Sequence, residues 1–246
     1  MAARTVGMLG TILELAKRRM VIKENPARNV SKLPDGKQRR FLALDEIGVL
    51  GTVMREATDE SAVGLAAVRL LLLTGCRRME VLSLPWNWVD TRSQCIRFGD
   101  TKSGAQLRPI GQAAVALLKT LPRRDGSPHV LPAERGDGHF IGLPRVLARL
   151  CAKARLEGVT VHVLRHSFAA VAAEMGFSEL TIAGMLGHTV SGVTARYAHV
   201  PDVALVSAAD RVSGCIAAAL DGAVADAALV KPGTRAARVP DVAFAQ

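Results

Sequence analysis

HVLRHSFAAVAAEMGFSELTIAGMLGHTVSGVTARYAHV, residues 162–200, carries four of the chain's six histidines and its only tyrosine. Its periodicity predicts helices over about 163–175, 178–186 and 191–198. On the first, positions i, i+3 and i+4 share a face, so His162, Arg165 and His166 project together while Leu164 and Phe168 can pack inward. Gly187 stops the second helix and leaves His188 at an exposed corner. The third runs through Thr194-Ala195-Arg196-Tyr197-Ala198-His199. Imidazoles, a guanidinium and the lone phenol are thus crowded into one short stretch.

Upstream, VGLAAVRLLLL (63–73) is apolar on nearly all sides, which predicts a central core helix over about 61–73. Thr74-Gly75 ends it. Cys76-Arg77-Arg78-Met79-Glu80 follows, placing a basic residue at the start of a short helix (about 78–84) with a carboxylate three residues on. Residues 94–99 (QCIRFG) and 106–110 (QLRPI) alternate in part, and Asp100-Thr101-Lys102-Ser103-Gly104 between them is turn chemistry. They predict a small hairpin with Lys102 at its tip. Further helices are expected at about 7–20, 44–57, 111–120, 143–155 and 203–220, a surface loop over 122–142, and no element in 222–246. The predicted class is mainly α with a small antiparallel β-sheet.

Nearly half of the 246 residues are hydrophobic and 22% are charged, the composition of a globular chain and not of a disordered one. The net charge of +10 points to a polyanion, most simply nucleic acid. Ten Lys/Arg against three Asp/Glu lie in residues 1–40. Asn25-Pro26 and Pro34-Asp35-Gly36 break helical patterning there. We read 1–30 as an appended helix, 31–41 as a basic linker, 42–220 as the main domain and 221–246 as a tail. Cys76, Cys95, Cys151 and Cys215 form no CxxC pair and suggest neither a zinc site nor a disulfide framework. No signal-peptide order is present, and the longest purely apolar runs fall short of a membrane span, so a cytoplasmic protein is expected.

Taken singly, each piece has an ordinary reading. His162 and His166 could be half a zinc site, but no third ligand has suitable spacing. Arg77 and Glu80 could be a structural ion pair, and Lys102 a solvated charge. In order, however, TGCRRME (74–80), TKSG (101–104), HVLRH (162–166), LGH (186–188) and Tyr197 in TARYAHV resemble the tyrosine recombinases, the phage-integrase family, over about residues 40–220. The resemblance implies that family's catalytic-domain fold, with 1–30 as the last helix of a core-binding domain. It implies catalytic roles for Arg77, Lys102, His162, Arg165, His188 and the nucleophile Tyr197, with Glu80 and His166 supporting. Lys37, Arg39, Arg40 and Arg108 are the expected DNA contacts. No metal or other cofactor is implied. The expected partners are double-stranded DNA and three further copies of the chain, in a bacterial, nucleoid-associated setting. The alternatives are an inactive DNA-binding remnant of a mobile element, a type IB topoisomerase and a zinc hydrolase.

Overall fold

A computed structural model describes residues 2–30, 40–101, 104–188 and 203–223. The chain forms two compact units, 1–39 and 40–246. In the first, α1 (Ala2–Arg18) ends on Lys17 and Arg18, cations that suit the negative end of a helix dipole. The chain then turns back. Asn25 donates from Nδ2 to the Gly10 carbonyl (2.9 Å) and to Glu14 Oε2 (3.1 Å), and its Oδ1 accepts from the Ala27 amide (3.0 Å). Met8, Ile12 and Leu15, spaced along one stripe of α1, stay exposed.

The second unit is built around α3 (Ala62–Thr74). Its apolar residues point every way, so it must be covered on every side. The cover comes from α5 (Gln112–Thr120), α6 (Leu143–Lys153), α7 (Val161–Glu174) and α9 (Val203–Leu220). The Ser61 hydroxyl caps the start of α3 by accepting from the Gly64 amide. Helix α2 (Leu44–Glu56) packs on α9 so closely that a Cβ on Gly51 would overlap the Leu220 backbone. Helix α9 is the one helix among the described residues long and apolar enough to cross a membrane. Here it is a core helix: Ala208, Ala209, Val212, Ile216 and Leu220 are buried within its own unit.

The sheet has three antiparallel strands in the order β1 (Val89–Asp90), β2 (Cys95–Thr101), β3 (Gly104–Pro109). Ile96 pairs with Arg108 and Phe98 with Gln106, and the register shifts between Phe98 and Thr101. Strand β1 and the 3-10 turn Trp86–Trp88 before it were not expected from the sequence. Two residues are too few to show alternation. What defines β1 is Asp90, whose Oδ1 accepts from the Arg92 and Ser93 amides and turns the chain into β2. The loop 122–142 is also less superficial than its composition suggests, because Val130, Leu131 and Phe140 are buried. The expected helix at 191–198 and the hairpin tip at Lys102 lie outside the described residues.

Candidate active site

The site grows from the C-terminal end of α3. The Thr74 hydroxyl donates back to the Leu70 carbonyl (2.6 Å) and accepts from the Cys76 amide (3.3 Å). Gly75 takes the left-handed conformation (φ 60°). A Cβ there would come within 2.7 Å of Phe168 and 2.9 Å of Leu186, so only glycine lets the chain pass between α7 and α8 (Glu179–Leu186). The turn aims the Gly75 carbonyl at α7 and sets Arg77 just before α4 (Arg78–Leu82).

Glu80, on α4, then fixes Arg77 twice. Its Oε2 accepts from the Arg77 amide (2.7 Å) and its Oε1 from the guanidinium Nη1 (2.8 Å). The arginine side chain is half exposed and the carboxylate mostly covered. Burial alone would raise the Glu80 pKa; the charge of Arg108 and the two bonds from Arg77 reverse that, and the net direction is down. Glu80 is a carboxylate held between arginines.

Helix α7 begins at Val161, so His162 lies in its first turn. The rings of His162 and His166 meet edge to face, their centroids 4.4 Å apart, as i, i+4 spacing requires. Arg165 turns inward from between them and is 5% exposed. Its Nη1 donates to the Gly75 carbonyl (2.6 Å), its Nη2 to the Leu186 carbonyl (3.0 Å), and Nη2 meets His188 Nε2 at 2.9 Å. The last two of these partners come from the end of α8 and the corner just past it. Gly187 (φ 66°) closes it, with the Gly187 amide donating to the Gly184 carbonyl (3.0 Å) and the His188 amide to the Ala183 carbonyl (2.9 Å). The Leu186 carbonyl, left over at the helix end, is taken up by arginine. Arg77, His162, Arg165 and His188 are thereby brought to one place, beside a cavity of about 490 Å³ lined in part by Cys76, Leu147, His162 and Arg165.

Arg108 requires a correction. Expected to touch DNA, it is 0% exposed on β3, so no duplex can reach it. Its Nη1 donates to the Leu186 carbonyl, and its Nη2 lies 3.4 Å from Glu80 Oε1. Arg40, another expected DNA contact, is held by Glu46 through Nη1 (2.7 Å) and Nη2 (2.5 Å) and donates to the Phe41 and Glu157 carbonyls. Its charge is balanced where it stands. Lys37, Arg39, Lys102 and Tyr197 lie outside the described residues.

Residues 40–203 match the family model described as the phage integrase family. The chain belongs to that family, the tyrosine recombinases. Similar members include tyrosine recombinase XerD of Brucella suis biovar 1 (strain 1330), 28% identical over 65% of this chain and 59% of the relative. Tyrosine recombinase XerC 2 of Ralstonia nicotianae is 30% identical over 72% of this chain and 54% of the relative. The chain spans a little over half the length of these curated relatives. Among solved structures, the fold is like that of the integrase from mycobacterium phage Brujita (TM-score 0.58, 19% identity, 87% of this chain and 77% of that one). It is also like a lambda integrase fragment in a dimer bound to a core site (TM-score 0.59, 17% identity, 75% and 70%).

Within this family domain the three site histidines share one electrostatic fate. Burial, then the charges of Arg165, Arg77 and Arg108, push His188 down to about 4. Burial, then Arg165 and Arg77, lower His162; burial, then His162 and Arg165, lower His166. All three are neutral in the folded protein at neutral pH. The unfolded chain, whose histidines titrate at about 6.5, therefore binds more protons than the folded one below that value. Stability from these groups is fully present above pH ~6.5 and is lost as pH falls toward the depressed values. We expect the urea midpoint to be flat between pH 8 and 7 and to fall between about pH 6.5 and 5, above the range where carboxylates protonate. His188→Gln should flatten part of that fall. An acid limb unchanged in this variant would show that His188 is not depressed.

Proposed function

We propose that the chain cuts and rejoins double-stranded DNA by transesterification at a phosphodiester, as a site-specific recombinase. The observation that carries this reading is the buried fork of Arg165, bonded to His188 and to two main-chain carbonyls beside the Arg77–Glu80 pair. A guanidinium has five N–H donors, and Arg165 uses three of these bonds among the described residues, leaving donors for phosphate oxygens. Burial, then Arg108 and Arg77, push Arg165 down to about 10, which still leaves it cationic at neutral pH. A rigid pair of arginines can meet the negative charge that builds on the non-bridging oxygens, the task metal ions perform in many other phosphoryl-transfer enzymes.

In the proposed step the Tyr197 phenolic oxygen attacks phosphorus, and the bond from phosphorus to the 5′-oxygen breaks. The strand is left as a 3′-phosphotyrosine, and a 5′-hydroxyl from the partner duplex later reverses the exchange, so the bond energy is kept. The phenolic proton passes to His162. Ionising a phenol of pKa ~10 at pH 7 costs roughly 4 kcal/mol, and a neutral imidazole in a cationic field can offset that. The leaving alkoxide is a stronger base than the phenolate, so its protonation matters more. Lys102 is the acid in this reading. His188, neutral and accepting at Nε2 from Arg165, hydrogen-bonds a phosphate oxygen in this reading. Lys37 and Arg39 of the linker contact the DNA backbone, residues 1–30 close a core-binding domain, and four copies assemble on two duplexes.

The test is a pool of nicked duplexes with randomised flanks, incubated with the protein in EDTA. Cleavage beside the nick frees a short fragment carrying the 5′-hydroxyl, whose loss prevents religation and traps the intermediate. We expect an SDS-resistant adduct whose digestion yields a nucleotide-bearing peptide containing Tyr197. Retention of DNA with no adduct would instead support a DNA-binding remnant. Relaxation of supercoiled plasmid without partner exchange would support a topoisomerase, and an adduct lost in EDTA would remove the metal-free reading.

A further inference from the structure

The geometry points to Arg108 as a positioning residue of the transesterification site, a buried fork that holds the Leu186–His188 corner and the Glu80 carboxylate in register for Arg165 and Arg77. This deepens the reading above and rests on it. Arg108 stands on β3 opposite Ile96, on the inward face of the hairpin, and is 0% exposed. A cation so buried is retained only where it has partners. Its partners are the groups that hold the site. Nη1 donates to the Leu186 carbonyl that Arg165 also uses, and Nη2 lies against the Glu80 oxygen that receives Arg77. The guanidinium carbon sits 5.7 Å from the centre of the Phe98 ring.

One unbroken chain of contacts therefore runs from Arg77 through Glu80, Arg108 and the Leu186 carbonyl to Arg165 and His188. The corner is built around it: a Cβ on Gly187 would overlap the Arg108 guanidinium. Nε of Arg108 has no hydrogen-bond partner among the described residues. The fork is thus placed for the two groups it bridges, at the expense of its own third donor edge. Arg108 touches no substrate atom. It acts by fixing a carbonyl and a carboxylate, and a displacement of about 1 Å in such a frame can cost on the order of 100-fold in rate. Because β3 pairs with β2 in one hairpin, the same side chain joins that hairpin to Arg165 and Arg77.

The test compares the wild-type chain with Arg108→Met, which keeps the apolar bulk, and Arg108→Lys, which keeps the charge but not the fork. Folding is checked by amide NMR spectra. Inorganic phosphate is titrated in while the His188 ring signals are followed, and adduct formation on the nicked-duplex pool is timed. We expect both variants to fold, to bind phosphate about tenfold more weakly and to form adduct about 100-fold more slowly, with Lys giving no rescue. His188 should titrate higher in Arg108→Met, because one of the charges facing it, besides Arg165, Arg77 and the opposing Glu80, is gone. Phosphate affinity and adduct rate within twofold of wild type in Arg108→Met would overturn the proposal, leaving a packing role. Full rescue by Lys would overturn it too, leaving only charge. If the wild type forms no adduct, the transesterase reading fails, and the phosphate and His188 titrations still decide whether Arg108 sets the corner.

Discussion

Tyr197→Phe is expected to abolish the covalent adduct while leaving DNA binding within about twofold of wild type. The expectation follows from three facts. The residue is the only tyrosine of the chain, so no neighbouring phenol can take its place. Removing the nucleophile deletes the bond-forming atom itself, a loss on the order of 10⁶ in rate, where removal of a supporting hydrogen bond costs about 10²–10³. One hydroxyl contributes little to the phosphate contacts that dominate DNA affinity. The measurement pairs SDS-resistant adduct on the nicked pool with an electrophoretic shift at fixed salt. A residual adduct above one part in ten thousand ("about 10⁻⁴" of wild type) would mean that another side chain serves as nucleophile. His199 and the Thr and Ser residues nearby would then be the next to substitute.

The parts of this site that the sequence disclosed were those carried by local geometry. The i, i+4 spacing put His162 and His166 on one face, and on α7 their rings are in contact, while Arg165 turns inward and is buried. Gly75 and Gly187 were readable as helix ends, and both adopt the left-handed conformation. What stayed hidden was carried by the main chain and by long range. The Leu186 carbonyl, acceptor for two arginines, leaves no mark in a string of side chains. Arg108, expected among the DNA contacts, is buried instead. On its strand it shares a face with Gln106 and Ile110, and Ile110 is fully buried. An arginine at an inward strand position belongs to a buried network, but with polar Gln106 on its own face and Leu107 on the other, the sequence pattern does not mark that face as inward. The 122–142 segment misled in the same way, since its Pro, Gly and charge outweighed three apolar residues that reach the core.

Arg165→Met is the second large effect, and its interest is that activity and stability should part company. Activity should fall at least 10³-fold, because a methionine offers no donor to the phosphate and also loses the contact that orients His188. For stability two effects oppose. The Gly75 carbonyl loses its arginine donor, and an unsatisfied buried acceptor costs about 1–3 kcal/mol. Against that, the lowering of the Arg165 pKa to about 10 means that burial and the neighbouring Arg108 and Arg77 disfavour its charged form by roughly 3 kcal/mol. The Leu186 carbonyl keeps Arg108 as a donor. The two effects nearly cancel, so the urea midpoint should correspond to a change of less than about 2 kcal/mol. Arg165→Ala, which also leaves a cavity, should be the less stable of the two. A cation kept in the interior where an apolar side chain would serve stability as well is kept for its charge, and the proposed reaction is what would use that charge. A collapse of Arg165→Met by 5 kcal/mol or more, on the order of what breaking a buried ion pair costs, would make Arg165 a structural staple instead.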